Sequence, residues 1–130
     1  SYKKLREEAL EVERWNRLHP GQERRSPLVS RLLALTRGPI VAVTDYMHAV
    51  PDQISRWVPR RFITLGTDGY GRSDTREALR RFFETDEASV TVAALSGLVE
   101  AGEMEAALVD EAIRTFDLAP DAAAPWTRDA

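Results

Sequence analysis

The 130-residue chain has no cysteine, which excludes a disulfide framework, a thiolate nucleophile and a cysteine metal site, and is compatible with a reducing, cytoplasmic setting. Histidine is scarce. His19 and His48 stand in neither an H-x-x-x-H nor an H-E-x-x-H pattern, so each reads as a surface or packing residue. No uninterrupted apolar run exceeds four residues, as in Ile40–Val43, against the roughly 18 that a membrane-crossing helix requires. No membrane partner is expected. A basic excess is also missing: the net charge is −3 with both signs interspersed, which argues against a nucleic-acid groove. The opening residues 1–8 are charged and helix-like, with no secretory apolar core and no initiator methionine, and read as following an internal cut.

With 43% apolar and 30% charged residues, the chain has the composition of a globular domain, and its length allows one modest core. From Tyr2 to Leu18 the apolar positions Tyr2, Leu5, Ala9, Val12, Trp15 and Leu18 recur in steps of three and four, which predicts a helix with one buried stripe. His19-Pro20-Gly21 ends it. Ser26 reads as an N-cap and Pro27 as a first-turn residue of a second helix, with Leu28, Leu32, Leu33 and Leu35 on its core face. Ile40–Val43, following Gly38-Pro39, reads as a strand buried on both faces. A crossover helix is expected from Pro51 and Asp52 to Pro59, carrying Val50, Ile54, Trp57 and Val58. Phe62–Leu65 is the second strand, so the order strand, helix, strand gives a parallel βαβ unit.

After the second strand, Asp74 and Glu77 are spaced as a capping box for a helix through Phe83, and Asp86 as the cap of a further helix ending at Gly102. Val90, Ala93, Ala94, Leu98 and Val99 are the expected core positions of that helix, and a last helix covers residues 105–116. Residues 117–130, rich in alanine and acid with two prolines, read as a tail that is either disordered or pinned by Trp126 against another surface. Two parallel strands make a poor sheet by themselves, so further strands are expected upstream. The domain proper is 1–116.

Between the second strand and the capping box lies GTDGYGRS at residues 66–73. Its glycine spacing invites comparison with a phosphate-binding loop, the sharpest form of a free-standing α/β module that binds a nucleotide or anion between Gly66 and Ser73. Arg72 stands where such a loop needs lysine, and an arginine fork does not replace a compact ammonium. Asp45, at the end of the first strand, precedes the loop, whereas a magnesium-holding aspartate of that class follows it. A thiamine-type G-D-G magnesium motif at Asp68-Gly69 would need an asparagine downstream, and the chain's one asparagine is Asn16. Asp68 and Asp74 are also too few and wrongly spaced for a calcium loop. On the residues alone, Gly66, Gly69 and Gly71 serve tight turning, Asp74 serves as a cap, and Arg72, Arg76, Arg80 and Arg81 are solvated or paired.

Three ordered blocks carry a resemblance: ERWNRLHP at residues 13–20, AVTDYM at 42–47 and LGTDGYGRSDTR at 65–76. Together they resemble the carboxy-terminal region of the homodimeric bacterial pyruvate dehydrogenase family of transketolase-like thiamine diphosphate enzymes, over residues 2–116. Pro59 and Asp86 also fall where that family's pattern places them. The resemblance implies an α/β transketolase-type carboxy-terminal domain with a short, mostly parallel sheet flanked by helices, lacking the strand, helix and strand with which the family's domain begins. It implies a parent oxidoreductase that decarboxylates pyruvate on thiamine diphosphate with magnesium and passes the acetyl group to the lipoyl arm of dihydrolipoyl acetyltransferase. A related 2-oxo acid dehydrogenase or transketolase with another substrate is the neighbouring option. Catalytic, cofactor-binding and metal residues are expected to lie elsewhere in the parent, leaving this piece inactive alone, with the rest of the subunit and its homodimer mate as its partners. Within the chain, Asp68, Tyr70, Asp74 and Arg76 are the expected interface residues, from one polar loop with an aromatic ring and charges of both signs.

Overall fold

A computed structural model describes residues 1–69 and 73–128. The first helix, α1 (Tyr2–Leu18), begins at Ser1, whose hydroxyl accepts the Lys4 amide, and ends at His19 ahead of Pro20. Its buried residues are Ala9 and Asn16. The expected stripe holds at Tyr2 and Leu5, which pack on the core, but Leu18 is exposed. Asn16 takes an inward place because its amide imitates a strand partner: Nδ2 donates to the Arg25 carbonyl at 3.0 Å, and the Arg25 amide donates to Oδ1 at 2.9 Å. The link after α1 is thereby held without secondary structure of its own. Trp15 lies beneath the Arg25 guanidinium and stacks on His19, which accounts for several residues of the ERWNRLHP block as one local lock.

The second helix, α2 (Leu28–Leu33), is capped by Pro27 and not by Ser26. A side-chain cap is unnecessary at this end because Glu8 of α1 accepts the Leu28 amide at 3.0 Å, so a tertiary contact satisfies the orphan donor. The expected core face is displaced too. Val29 is buried and Leu33 packs beside it, while Leu28, Leu32 and Leu35 are exposed. With six residues the helix can turn either flank inward, and Leu35 lies beyond its end.

Strands β1 (Ile40–Val43) and β2 (Phe62–Leu65) pair in parallel, with Ile40 opposite Phe62 and Val43 opposite Leu65. This is the expected α/β arrangement of a two-stranded parallel sheet flanked by helices. The strands are half-buried, however, and Val43 is exposed, which corrects the reading of β1 as buried on both faces. In a sheet of two, each strand is an edge. The crossover between them is broken into α3 (Ala49–Asp52) and a 3-10 turn, Ser55–Trp57, instead of one helix from Pro51. Gln53 folds its amide onto the Val50 carbonyl at 2.7 Å and ends the α turn there. Pro51, Ile54 and Trp57 are nevertheless buried, with Ala9, Val29, Ile54 and Trp57 forming the core cluster. Glu13 ties α1 to this crossover by accepting Trp57 Nε1 at 2.8 Å and Arg56 Nη2 at 2.9 Å.

Helix α4 (Arg76–Phe82) starts one residue later than the capping box predicts. Thr75 caps the Ala78 amide, and Asp74 instead accepts the amide of Thr75 at 2.8 Å. Helix α5 (Glu87–Glu100) is capped by Asp86 as expected, and α6 (Ala106–Thr115) fills the last predicted helix. Beyond it, Pro125 is buried in a 3-10 turn, Pro125–Thr127. Arg81 of α4 donates to the Phe116 and Asp117 carbonyls, placing a cation at the carboxyl end of α6. None of the helices among the described residues is long and apolar enough to cross a membrane.

Helix α5 packs on both strands, and its contact point is Gly97, a buried residue that the periodicity did not single out. A Cβ there would lie 2.6 Å from the Pro39 Cβ and 3.1 Å from Ile63 Cδ1. The change Gly97→Ala gains helix propensity of about 1 kcal/mol, yet the pyrrolidine ring of Pro39 cannot swing aside. The overlap is expected to win, with Gly97→Ala losing about 1–2 kcal/mol net, read as a lower urea midpoint at unchanged slope.

Candidate functional site

The loops that leave the carboxyl ends of β1 and β2 lie side by side because the strands are parallel and in register. This is the end at which open α/β sheets place their ligands. Each residue of Gly66-Thr67-Asp68 is used against the other loop. Gly66 is buried so close to it that a Cβ would sit 2.8 Å from both the His48 nitrogen and the Tyr46 oxygen. Thr67 donates its amide to the Tyr46 carbonyl at 2.8 Å and its hydroxyl to the Asp45 carbonyl at 2.6 Å. Asp68 Oδ1 receives two bonds from one residue, the His48 backbone amide at 2.6 Å and the ring Nδ1 at 2.7 Å.

A carboxylate can only accept, so the Nδ1 of His48 carries the proton and its Nε2 faces away from Asp68. The His48 backbone amide is the first cause holding the Asp68 carboxyl below the ordinary aspartate value, the ring bond the second, and attraction to His48 adds to them. Partial burial opposes these and loses. Trp126, from the segment after α6, meets the His48 ring edge to face at 5.8 Å. Gly69, at φ +119°, allows the backbone to pass there, since a Cβ would lie 3.2 Å from the Trp126 Cα. His48, Asp52, Asp68, Gly69 and Trp126 line an open cavity of about 580 Å³, in which Asp52 accepts the Thr64 hydroxyl at 2.7 Å.

Of the residues expected at the interface, Asp68 turns inward as the clasp. Asp74 and Arg76 are exposed at the start of α4, and Tyr70 lies outside the described residues, as do Gly71 and Arg72 of the phosphate-loop comparison. His48, Asp52 and Trp126 join the site without having been singled out for it. A signal for His48 was available, since pairing β1 with β2 in register sets residues 44–48 against 66–68.

The donor set does not suit a magnesium diphosphate. Asp68 already accepts twice from His48, Asn16 is buried against Arg25, and no group of three metal-binding side chains occurs among the described residues. A phosphate loop is not favoured either, because the start of α4 is occupied by Thr75 and Asp74.

Because the Asp68 pKa is lowered on folding, its contribution is present above the ordinary aspartate value and is lost as pH falls through the lowered native value. Asp68→Asn is therefore expected to flatten the acid limb of a stability-against-pH curve measured by urea unfolding. At neutral pH the loss should be roughly 1 kcal/mol, at the low end for a charge-assisted bond because the side chain is 36% open to screening water.

Residues 5–86, more than half of the chain, match the family model described as the transketolase-like TK C-terminal domain. The chain is 48% identical over 122 residues to the pyruvate dehydrogenase E1 component of Pseudomonas aeruginosa, covering 93% of this chain and 14% of that protein. It is 47% identical over 127 residues to the E1 component of Cupriavidus necator, covering 98% and 14%. With that of Escherichia coli K12 the identity is 40% over 126 residues, covering 96% and 14%. The chain thus spans about one seventh of the length of these relatives. Two of the blocks that carried the resemblance are the loops clasped through His48 and Asp68, and the chain belongs to the family of transketolase-like C-terminal domains.

Proposed function

We propose that the chain is the carboxy-terminal structural domain of a pyruvate dehydrogenase E1-type subunit and supports that subunit's dimer. The observation that carries this reading is the identity of 40–48% along nearly the whole chain with relatives roughly seven times its length, all bearing that name. In the parent, pyruvate would be decarboxylated on thiamine diphosphate with magnesium, and the lipoyl group of dihydrolipoyl acetyltransferase reductively acetylated, by residues outside this chain. The chain alone then carries no reaction. A neighbouring 2-oxo acid dehydrogenase would use the same domain, and the names of the relatives favour pyruvate.

The part this piece plays is docking. The Asp68–His48 clasp fixes the base of the loop, and the exposed Asp74 and Arg76 at its far end, with Tyr70 between, supply charges of both signs and a ring to a neighbouring domain or subunit.

Replacing Tyr70 and Arg76 by alanine in the full-length parent is expected to raise the dimer dissociation constant about tenfold, the scale of one lost interface anchor. Sedimentation at nanomolar protein reads this, and an unchanged dimer would remove the docking role. Titration of the 130-residue chain with magnesium ATP separates the structural reading from a nucleotide-binding module. No saturable binding is expected.

A further inference from the structure

After α6 the chain turns back toward the carboxyl ends of the strands. Asp117 makes the turn by taking the left-handed backbone at φ +54°, which lets the Leu118 amide close on the Ile113 carbonyl at 3.0 Å. Residues 117–128 then run along a cavity of about 620 Å³ whose other walls include Leu65, Val92, Ala93 and Ile113. They span this space without filling it, and residues 119–123 are exposed. A segment with so little packed against it opens at low free energy, so its position depends on a few anchors.

Three contacts anchor it among the described residues. At its root, Arg81 of α4 donates to the Phe116 and Asp117 carbonyls at 3.2 and 2.7 Å. At its far end the Arg128 guanidinium lies 5.5 Å from the Phe82 ring and 3.4 Å from the Glu84 carboxylate. Both contacts are open to water and therefore weak.

The third contact falls on the clasp. Pro125 is buried, and the Trp126 ring meets that of His48 at 81°, the edge-to-face geometry that aromatic pairs favour. The same segment lies backbone to backbone against Gly69, where a Cβ would stand 3.2 Å from the Trp126 Cα and 3.6 Å from the Pro125 oxygen. The His48 ring is thus held twice, by Asp68 at Nδ1 and by the indole. Losing Asp68 frees the ring to rotate away from Trp126. Losing the indole opens the bonds to Asp68 further to competing water.

We propose that residues 117–128 form a strap coupled to the Asp68–His48 clasp: the strap stays seated while the clasp is closed, and the loop after β2 stays fixed while the strap is down. Whatever lifts the strap thereby loosens the loop that leads to Asp74 and Arg76. That consequence rests on the docking role proposed above, whereas the coupling is internal to this chain and does not.

Hydrogen exchange of the full-length parent tests it. The amides of His48 and Thr67 report the two loops, and those of Thr127 and Arg128 report the strap. The Arg25 and Leu28 amides, held by Asn16 and Glu8, report the remote part of the fold. Trp126→Ala leaves Asp68 and His48 in place and is expected to speed exchange at His48 and Thr67 about tenfold, the scale of a coupling between residues in contact. Asp68→Ala is expected to do the same at Thr127 and Arg128. Trp126→Phe retains a ring edge and should stay within about twofold of the parent. Loop amides unchanged in Trp126→Ala, strap amides unchanged in Asp68→Ala, or Trp126→Phe as fast as Trp126→Ala would each overturn the proposal. So would acceleration shared equally by Arg25 and Leu28, which would mean a general loss of fold. The two readings fail separately: an unaltered dimer in the Tyr70 and Arg76 variant removes docking and leaves the coupling, while uncoupled exchange removes the strap and leaves the docking role.

Discussion

Parallel pairing of two four-residue strands is the constraint on which the rest of this structure rests. It forces the chain to leave both strands at the same end, so the turns after Val43 and Leu65 must share one small region. Once there, the backbone amides and carbonyls of residues 44–48 and 66–68 need partners, and the second loop serves the carbonyls of Asp45 and Tyr46 and the amide of His48 in the first. Glycine at position 66 follows from the spacing this imposes. The ionised Asp68 follows as well, because a carboxylate flanked by two N–H donors from one residue is held in its charged form.

Much of this architecture was legible in the sequence. Breakers at Gly38-Pro39 and Pro59 preceded the two strands of the βαβ unit, and Asp86 announced α5 because a cap acts within one turn of its own helix. The misplacements share a cause. Ser26 and Asp74 looked like caps by local rule, yet Glu8 from twenty residues away serves the start of α2, and Asp74 engages the amide of Thr75. Periodicity over six residues cannot fix which flank of a helix faces inward, so Leu28 and Leu32 were assigned to a core that Val29 occupies. Asn16 and Gly97 were invisible for a related reason, since their roles are defined by Arg25 and Pro39 and not by neighbours in sequence.

The candidate site divides in the same way. Asp68 drew attention through its glycine-rich surroundings, but its partner His48 and the ring of Trp126 come from separate stretches of chain joined only by strand register and by the return of residues 117–128. The three sequence blocks that suggested the family are physically of two kinds. The Trp15, Asn16 and His19 block secures the exit from α1, while the other two secure the carboxyl ends of the strands.

The clasp also fixes a count. His48 stands five residues beyond the end of β1, and Asp68 three beyond the end of β2. Because both bonds converge on one oxygen atom, one residue added to or removed from either turn would part the pair, however conservative the residue. The two turns are therefore constrained in length as well as in residue type at Gly66 and Asp68.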